Sequence, residues 1–279
     1  MKRILGGKVA QYIVLSLGAL VFLFPFYYMV VGSFQAVLNP TIAGAFPDPA
    51  NLTVQNYVEI NGRINLLTGL VNSGIFTAGV LIGTVVFGML AGYALAILHW
   101  RGRGTVFALA LLVQVVPFTL LMIPLYVLIA RDFGLADSHL GMILPMFISS
   151  TAVVIFRQYF LQLPRELFDA ARIDGAGDLR VLWNIALPLV RPALLTVVLL
   201  TFIGPWNEFL WPFLITKDAS LQPLAVSLAN FIANVAASTA NPFGAMMAGA
   251  VVLAVPAIVL FLLVQRYFLS NDLGSGVKG

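Results

Sequence analysis

The sequence predicts an all-α integral membrane protein with about six transmembrane helices. Hydrophobic residues fill 61% of its 279 positions and charged residues only 9%, against roughly 25% charged in an ordinary soluble domain. The apolar residues gather into six runs, near 11–34, 71–98, 105–130, 140–160, 189–215 and 244–266, each reaching the roughly 20 residues a spanning helix needs. The basic residues collect between these runs, predominantly on one side.

The first run follows Lys2, Arg3 and Lys8 as a signal peptide would. It exceeds the roughly 7–15 residues of a signal's apolar region and lacks a cleavage site of small residues, so it reads as a retained helix. With the N-terminus inside, Lys2, Arg3, Lys8, Arg101, Arg103, Arg157, Arg165, Arg172, Arg180, Arg191, Arg266 and Lys278 fall on the cytoplasmic side, and only Arg63, Arg131 and Lys217 outside. That asymmetry predicts an even number of spans with both termini cytoplasmic, in a bacterial or archaeal inner membrane. Gly79, Gly83, Gly88 and Gly92 in the second run form two small-xxx-small pairs that admit a neighbouring backbone. Pro25, Pro117, Pro124, Pro145, Pro205 and Pro212 lie in or at the ends of spans, where each removes a backbone donor and bends a helix. Two outer segments, 35–70 and 216–243, exceed simple turns and are candidates for meeting an external partner.

Composition removes several function classes. With no Cys there is no disulfide, thiolate zinc site or cysteine nucleophile. His99 and His139 fall at opposite membrane ends without companion ligands, so no metal is expected. The pI near 9.5 reflects charges flanking apolar runs, a topology signal, and nucleic acid is not an expected partner. No G-x-x-x-x-G-K-[ST] phosphate loop is present, since Gly7-Lys8 is followed by Val9. An intramembrane enzyme would need a nucleophile, base or metal cluster that the sequence does not supply. One membrane domain over 1–279 is expected, with its core at about 70–266, a polar loop at about 161–188 and a tail at 267–279.

That loop is far more polar than its surroundings. Pro164 suits a first helical turn, Glu166 and Asp169 complement the positive end of the helix dipole, and Gly175 supplies a left-handed terminator. Leu167, Ala170, Ala171 and Asp174 would share a shallow face suited to a groove on another protein. Asp178 would cap a second helix with an apolar stripe of Leu179, Leu182, Trp183 and Ala186, ending before Pro188 and Pro192.

The string Asp169-Ala170-Ala171, three residues, Gly175, nine residues, Ile185, one residue, Leu187-Pro188 resembles the EAA loop of ABC importer permeases. Met122-Ile123-Pro124-Leu125-Tyr126, Trp206 to Pro212 and the terminal Gly276-Val277-Lys278-Gly279 are similar to the carbohydrate-uptake branch, in particular to permeases of the MalG kind. The first motif position is usually Glu in that family and is Asp169 here. The resemblance implies a permease subunit that moves a sugar or sugar-like solute from an extracytoplasmic binding protein across the membrane. It implies ATPase coupling through Asp169, Ala170, Ala171, Asp174, Gly175, Ile185, Leu187 and Pro188. It also implies a second permease as heterodimer partner and two cytoplasmic ATPase subunits that hold ATP and Mg, with no cofactor on this chain. The 216–243 loop would reach toward the solute. The alternative reading is a secondary transporter of a small polar solute, whose coupling calls for more intramembrane charge than this sequence offers.

Glu208 beside Asn207 is an ionisable residue within a predicted span. It either meets solute or bonds a backbone donor or a neighbouring helix. Trp206, Trp211 and Tyr126 offer flat faces to a sugar but equally suit a membrane interface. Gln114 and Thr119 complete the solute-path candidates, with interhelical hydrogen bonding as the competing account.

Overall fold

A computed structural model describes residues 2–234 and 238–272. It contains α1 (Lys2–Ser33), α2 (Gln55–Ile64), α3 (Leu66–Ala96), α4 (Arg103–Val113), α5 (Phe118–Tyr126), α6 (His139–Ile143) and α7 (Ser150–Leu161). These are followed by α8 (Arg165–Ile173), α9 (Asp178–Val181), α10 (Leu187–Leu189), α11 (Arg191–Asn207), α12 (Leu210–Ile215), α13 (Leu224–Asn234) and α14 (Pro242–Asp272). Among the described residues the one β pairing is an isolated bridge between Gln35 and Leu52. The predicted tail is helical to Asp272, and the Gly276-to-Gly279 string lies outside the described residues.

Three segments are long and apolar enough to cross a membrane unaided: Gln11–Ser33, Leu66–Ala96 and Pro242–Gln265. The other three predicted spans are bent pairs, 93° between Arg103–Val113 and Phe118–Asp132, 49° between His139–Met146 and Ser150–Leu161, and 82° between Asp178–Leu189 and Arg191–Asn207. Six spans result when each pair counts as one.

The 82° bend lies at Val190, at the start of the fifth run, and the third and fifth runs are also interrupted within their length, where the sequence reading had them continuous. A proline ring displaces the carbonyl four residues earlier and offers it no donor. Pro117 does this to Val113, where α4 stops. Pro212 does it to Glu208, whose extended backbone (φ −68°, ψ 127°) ends α11 before α12 restarts at Leu210. In the fourth run the break comes at Ser149, also extended, whose hydroxyl accepts the Ala152 N–H at 3.4 Å as an N-cap.

The chain packs as two compact units, Met1–Leu67 with Ser227–Pro256, and Thr68–Val226 with Ala257–Gly279. In the first, buried Gln35 and Asn56 tie the segment after α1 together. Asn56 donates to the Ser33 and Gln35 carbonyls at 2.9 and 2.8 Å, Gln35 donates to Gly44 O at 2.7 Å, and Asn241 donates to Gln35 O at 2.8 Å.

In the second unit the predicted glycine row is a packing seam. A Cβ at Gly79 would strike Ile143, one at Gly83 Phe147, one at Gly88 Ala152 and one at Gly92 Phe156. These helices touch because α3 presents no side chains along that line. At Gly92 an added Cβ would lie 2.7 Å from Phe156 Cβ and 2.9 Å from the Arg157 backbone nitrogen, whereas at Gly74 it meets nothing within 4 Å. Gly92→Ala is expected to lower stability by about 1–3 kcal/mol through overpacking. Gly74→Ala should be neutral or stabilising by up to about 1 kcal/mol through helix propensity. Thermal unfolding of the detergent-solubilised protein, followed by helical circular dichroism, checks both.

Candidate functional site

The polar loop folds as two short helices mounted on the second unit. Pro164 is the N-cap of α8 and Glu166 lies in its first turn. Gly175 has φ +78°. Its N–H donates to Arg172 O at 3.0 Å, and the next N–H, of Ala176, to Ala171 O at 2.9 Å. This paired closure is the Schellman arrangement and requires a left-handed residue where glycine stands. Phe168 and Ala171 point inward, 3% and 6% exposed, into a core with Met89, Tyr93 and Ala96 of α3, Phe156 and Phe160 of α7, and Val181, Leu182 and Ala186. Ile185 and Leu187 pack against the same core, and Pro188 is exposed.

Two expectations are corrected here. Ala171 does not share the open face with Ala170, because Phe168 must be buried and Ala171, three residues on, follows it. The open face instead carries Leu167, Asp169, Ala170, Ile173 and Asp174. Ile173, which the sequence reading missed, is 86% exposed. An isoleucine this exposed on so polar a helix is the signal that could have revealed it. Asp178 is not the cap of α9. Gly177 holds that position, and the Asp178 carboxylate takes Arg172 Nη2 at 3.3 Å while Asp169 sits 4.0 Å from Nη1. The buried side of the second helix is Val181, Leu182 and Ala186, with Leu179 and Trp183 outside.

The solute-path candidates separate. Glu208 Oε1 accepts the Trp211 N–H at 3.2 Å, across the break where the helix restarts. Trp206 is 5% exposed and its ring stacks on Phe202 at 5.2 Å, which corrects its assignment as an open sugar platform. Trp211 is fully buried, donates to Gly141 and Met142 carbonyls at 3.3 and 3.1 Å, and meets Phe118 edge-on. Asn207 is exposed and its amide bonds Ile203 O. Tyr126 is half-buried against a second core around Phe76, Met122 and Trp211. Thr119 is exposed at the start of α5, and Gln114 accepts the Thr151 hydroxyl at 3.4 Å.

The start of the 216–243 segment is pinned through Asn72 and Ser73, which sequence reasoning passed over. Asn72 donates to Ser220 O at 2.8 Å and Gln222 O at 3.2 Å, with His139 Nε2 3.0 Å from its Oδ1. Ser73 Oγ accepts the Leu224 N–H at 2.9 Å. Asp218 caps its own turn, and the Ser220 N–H and hydroxyl hold its carboxyl below the usual range.

Comparison with known proteins adds the following. Residues 84–270 match the family described as the binding-protein-dependent transport system inner membrane component. The arabinooligosaccharides transport system permease protein AraQ of Bacillus subtilis is 33% identical over 267 residues, covering 94% of this chain and 92% of the relative. The sn-glycerol-3-phosphate transport system permease protein UgpE of Yersinia pestis is 34% identical over 274 residues, covering 94% and 95%. Among solved structures, a bacterial ABC transporter involved in the import of the acidic polysaccharide alginate aligns with a TM-score of 0.78 and 25% identity. That alignment covers 95% of this chain and 97% of the other.

The orientation of α8 makes neighbouring alanines inequivalent. Ala171→Glu places a charge in the apolar core, at a cost of several kcal/mol, and is expected to abolish the yield of monodisperse protein in detergent. Ala170→Glu, on the open face, should change stability by less than about 0.5 kcal/mol and leave that yield unaltered.

Proposed function

The chain belongs to the family of binding-protein-dependent transport system inner membrane components, and from that premise we propose that it is the permease subunit of an ATP-driven importer for a sugar-like solute. Family members are translocation subunits rather than enzymes, and ATP hydrolysis resides in a separate ATPase. The observation that carries the proposal is the seating of α8. An exposed polar helix with an apolar Ile173 on its outer face is fixed through Phe168 and Ala171 to the ends of two membrane helices. Such a helix can transmit a push from outside the membrane to α3 and α7 without itself unfolding.

In this reading two ATPase subunits engage the face bearing Leu167, Asp169, Ala170, Ile173 and Asp174. Gly175, Ile185, Leu187 and Pro188 set the geometry of the loop. Both termini and the loop lie in the cytoplasm, as the distribution of basic residues favours. A second permease completes the path, and a binding protein delivers solute to the outer segments, whose hydrogen-bonded loops are preorganised for a partner. The relatives named for arabinooligosaccharides and sn-glycerol-3-phosphate both handle polyhydroxylated solutes, which supports a sugar or sugar-like cargo here.

The test is uptake by proteoliposomes holding this chain, its companion permease, the ATPases and the binding protein. Asp169→Arg and Ala170→Arg are expected to cut ATP-driven uptake at least about tenfold, as loss of one interface hot spot would, while the membrane subunits still assemble. Unchanged uptake would move the docking surface elsewhere, and uptake without any ATPase would make the chain a secondary transporter.

A further inference from the structure

We propose that the cavity beside the break in the fourth span is a solute subsite for a neutral, hydroxyl-bearing ring or polyol end rather than for a phosphate or carboxylate. The proposal rests on the importer reading and names the chemistry its path selects. The cavity measures about 240 Å3 and draws hydroxyls from three places: Thr84 of α3, Ser149 and Thr151 at the break and the start of α7, and Thr201 of α11. Gly204 of α11 also lines it, and no charged residue does.

Two observations point to a ligand. Thr84 is completely buried, yet its hydroxyl has no hydrogen-bond partner. A polar atom left in that condition costs stability unless the cavity brings it one. The backbone at Ser149 is extended (φ −114°, ψ 117°) in the middle of a predicted span. Non-helical backbone at membrane depth is tolerated where it is enclosed by protein or lines a watered cavity, and interrupted helices mark solute sites in transporters.

The chemical class follows from the donors present. A hydroxyl both donates and accepts, so a wall of Thr and Ser hydroxyls matches the hydroxyls of a sugar. A phosphate or carboxylate only accepts, carries charge, and in a low-dielectric site needs a cation that this wall does not supply. Pockets that enclose a whole small molecule run to roughly 300–1,000 Å3. A cavity of about 240 Å3 therefore takes one ring or one end of a chain.

The chain contains no cysteine, so each introduced cysteine is its only thiol, read against the assembled importer without the substitution as background. Ser149→Cys and Thr201→Cys are placed one at a time in the assembled importer in proteoliposomes. Each is reacted with neutral hydroxyethyl methanethiosulfonate and with anionic sulfonatoethyl methanethiosulfonate. Both rates are normalised to those with 2-mercaptoethanol, and resting and vanadate-trapped complexes are compared. The expected result is reaction at both positions in at least one state, with the neutral reagent favoured by about tenfold or more because the anion enters without a counter-charge. Adding Gly204→Leu, where a new Cβ meets no atom within 4 Å, should fill the cavity and slow the neutral reagent several-fold at Ser149→Cys. No reaction in either state, an anionic reagent that is equally fast or faster, or a rate indifferent to Gly204→Leu overturns the assignment. ATP-driven uptake by unmodified complex in matching vesicles reports separately on the importer reading.

Discussion

The close approach of α7 and its preceding half-helix to α3 is the constraint on which the second unit depends. Lipid tails are as apolar as the side chains of a span, so helices in a membrane gain little by hiding from lipid and associate through close packing. Here that packing exists because Gly79, Gly83, Gly88 and Gly92 leave a line on α3 free of side chains, filled in turn by Ile143, Phe147, Ala152 and Phe156. The seam continues beyond the last glycine through Tyr93, which meets Phe160 edge-on at 5.5 Å and Phe168 of α8 at 6.3 Å. The same line of contact thus carries the break at Ser149, the cavity under Thr84 and the seat of the polar helix. Phe168, Tyr93 and Phe160 form a packed chain of rings that joins α8 to α3 and α7.

The sequence made the six runs legible because hydropathy over about 20 residues is a strong local signal. The function of the glycines was legible for the same reason, as a spacing. What escaped was the internal breaks. Pro117 and Pro212 were visible as bending residues, but their effect falls four residues upstream, at Val113 and Glu208, and a run judged by mean apolarity passes over it. The third break has no proline at its apex and depends on Ser149 choosing to cap Ala152 rather than continue a helix. Two residues earlier Phe147 packs into the gap at Gly83, a tertiary contact that local hydropathy does not register. Glu208 was legible as an exceptional residue, but its bond to the Trp211 N–H was not, because it depends on the restart of the helix at Leu210.

The polar loop divides in the same way. Its helix, its glycine terminator and the existence of a second helix are local and were readable. The face it presents was not, because Ala170 and Ala171 are equivalent to any scheme that reads size and periodicity alone. Phe168 breaks the tie, since burying that ring decides the rotation of the whole helix and sends Ala171 inward while Ala170 and Ile173 go out. The large side chain flanking the motif, rather than the motif's own small ones, sets its direction.

That division also bears on the shorter acid at the first motif position. Asp169 has a side chain 70% exposed and lies 4.0 Å from Arg172, whose guanidinium is closer to Asp178. Exposed pairs of this kind contribute about 0–1 kcal/mol, so the two short helices do not depend on them for their relative placement. The hydrophobic core beneath α8 holds the loop, and Asp169 is left without a structural duty. A carboxylate that the fold does not use, carried on a helix whose position the fold fixes firmly, is available to a partner at little cost. Its shorter reach is then a matter for the partner's groove to accommodate, not for this chain's stability.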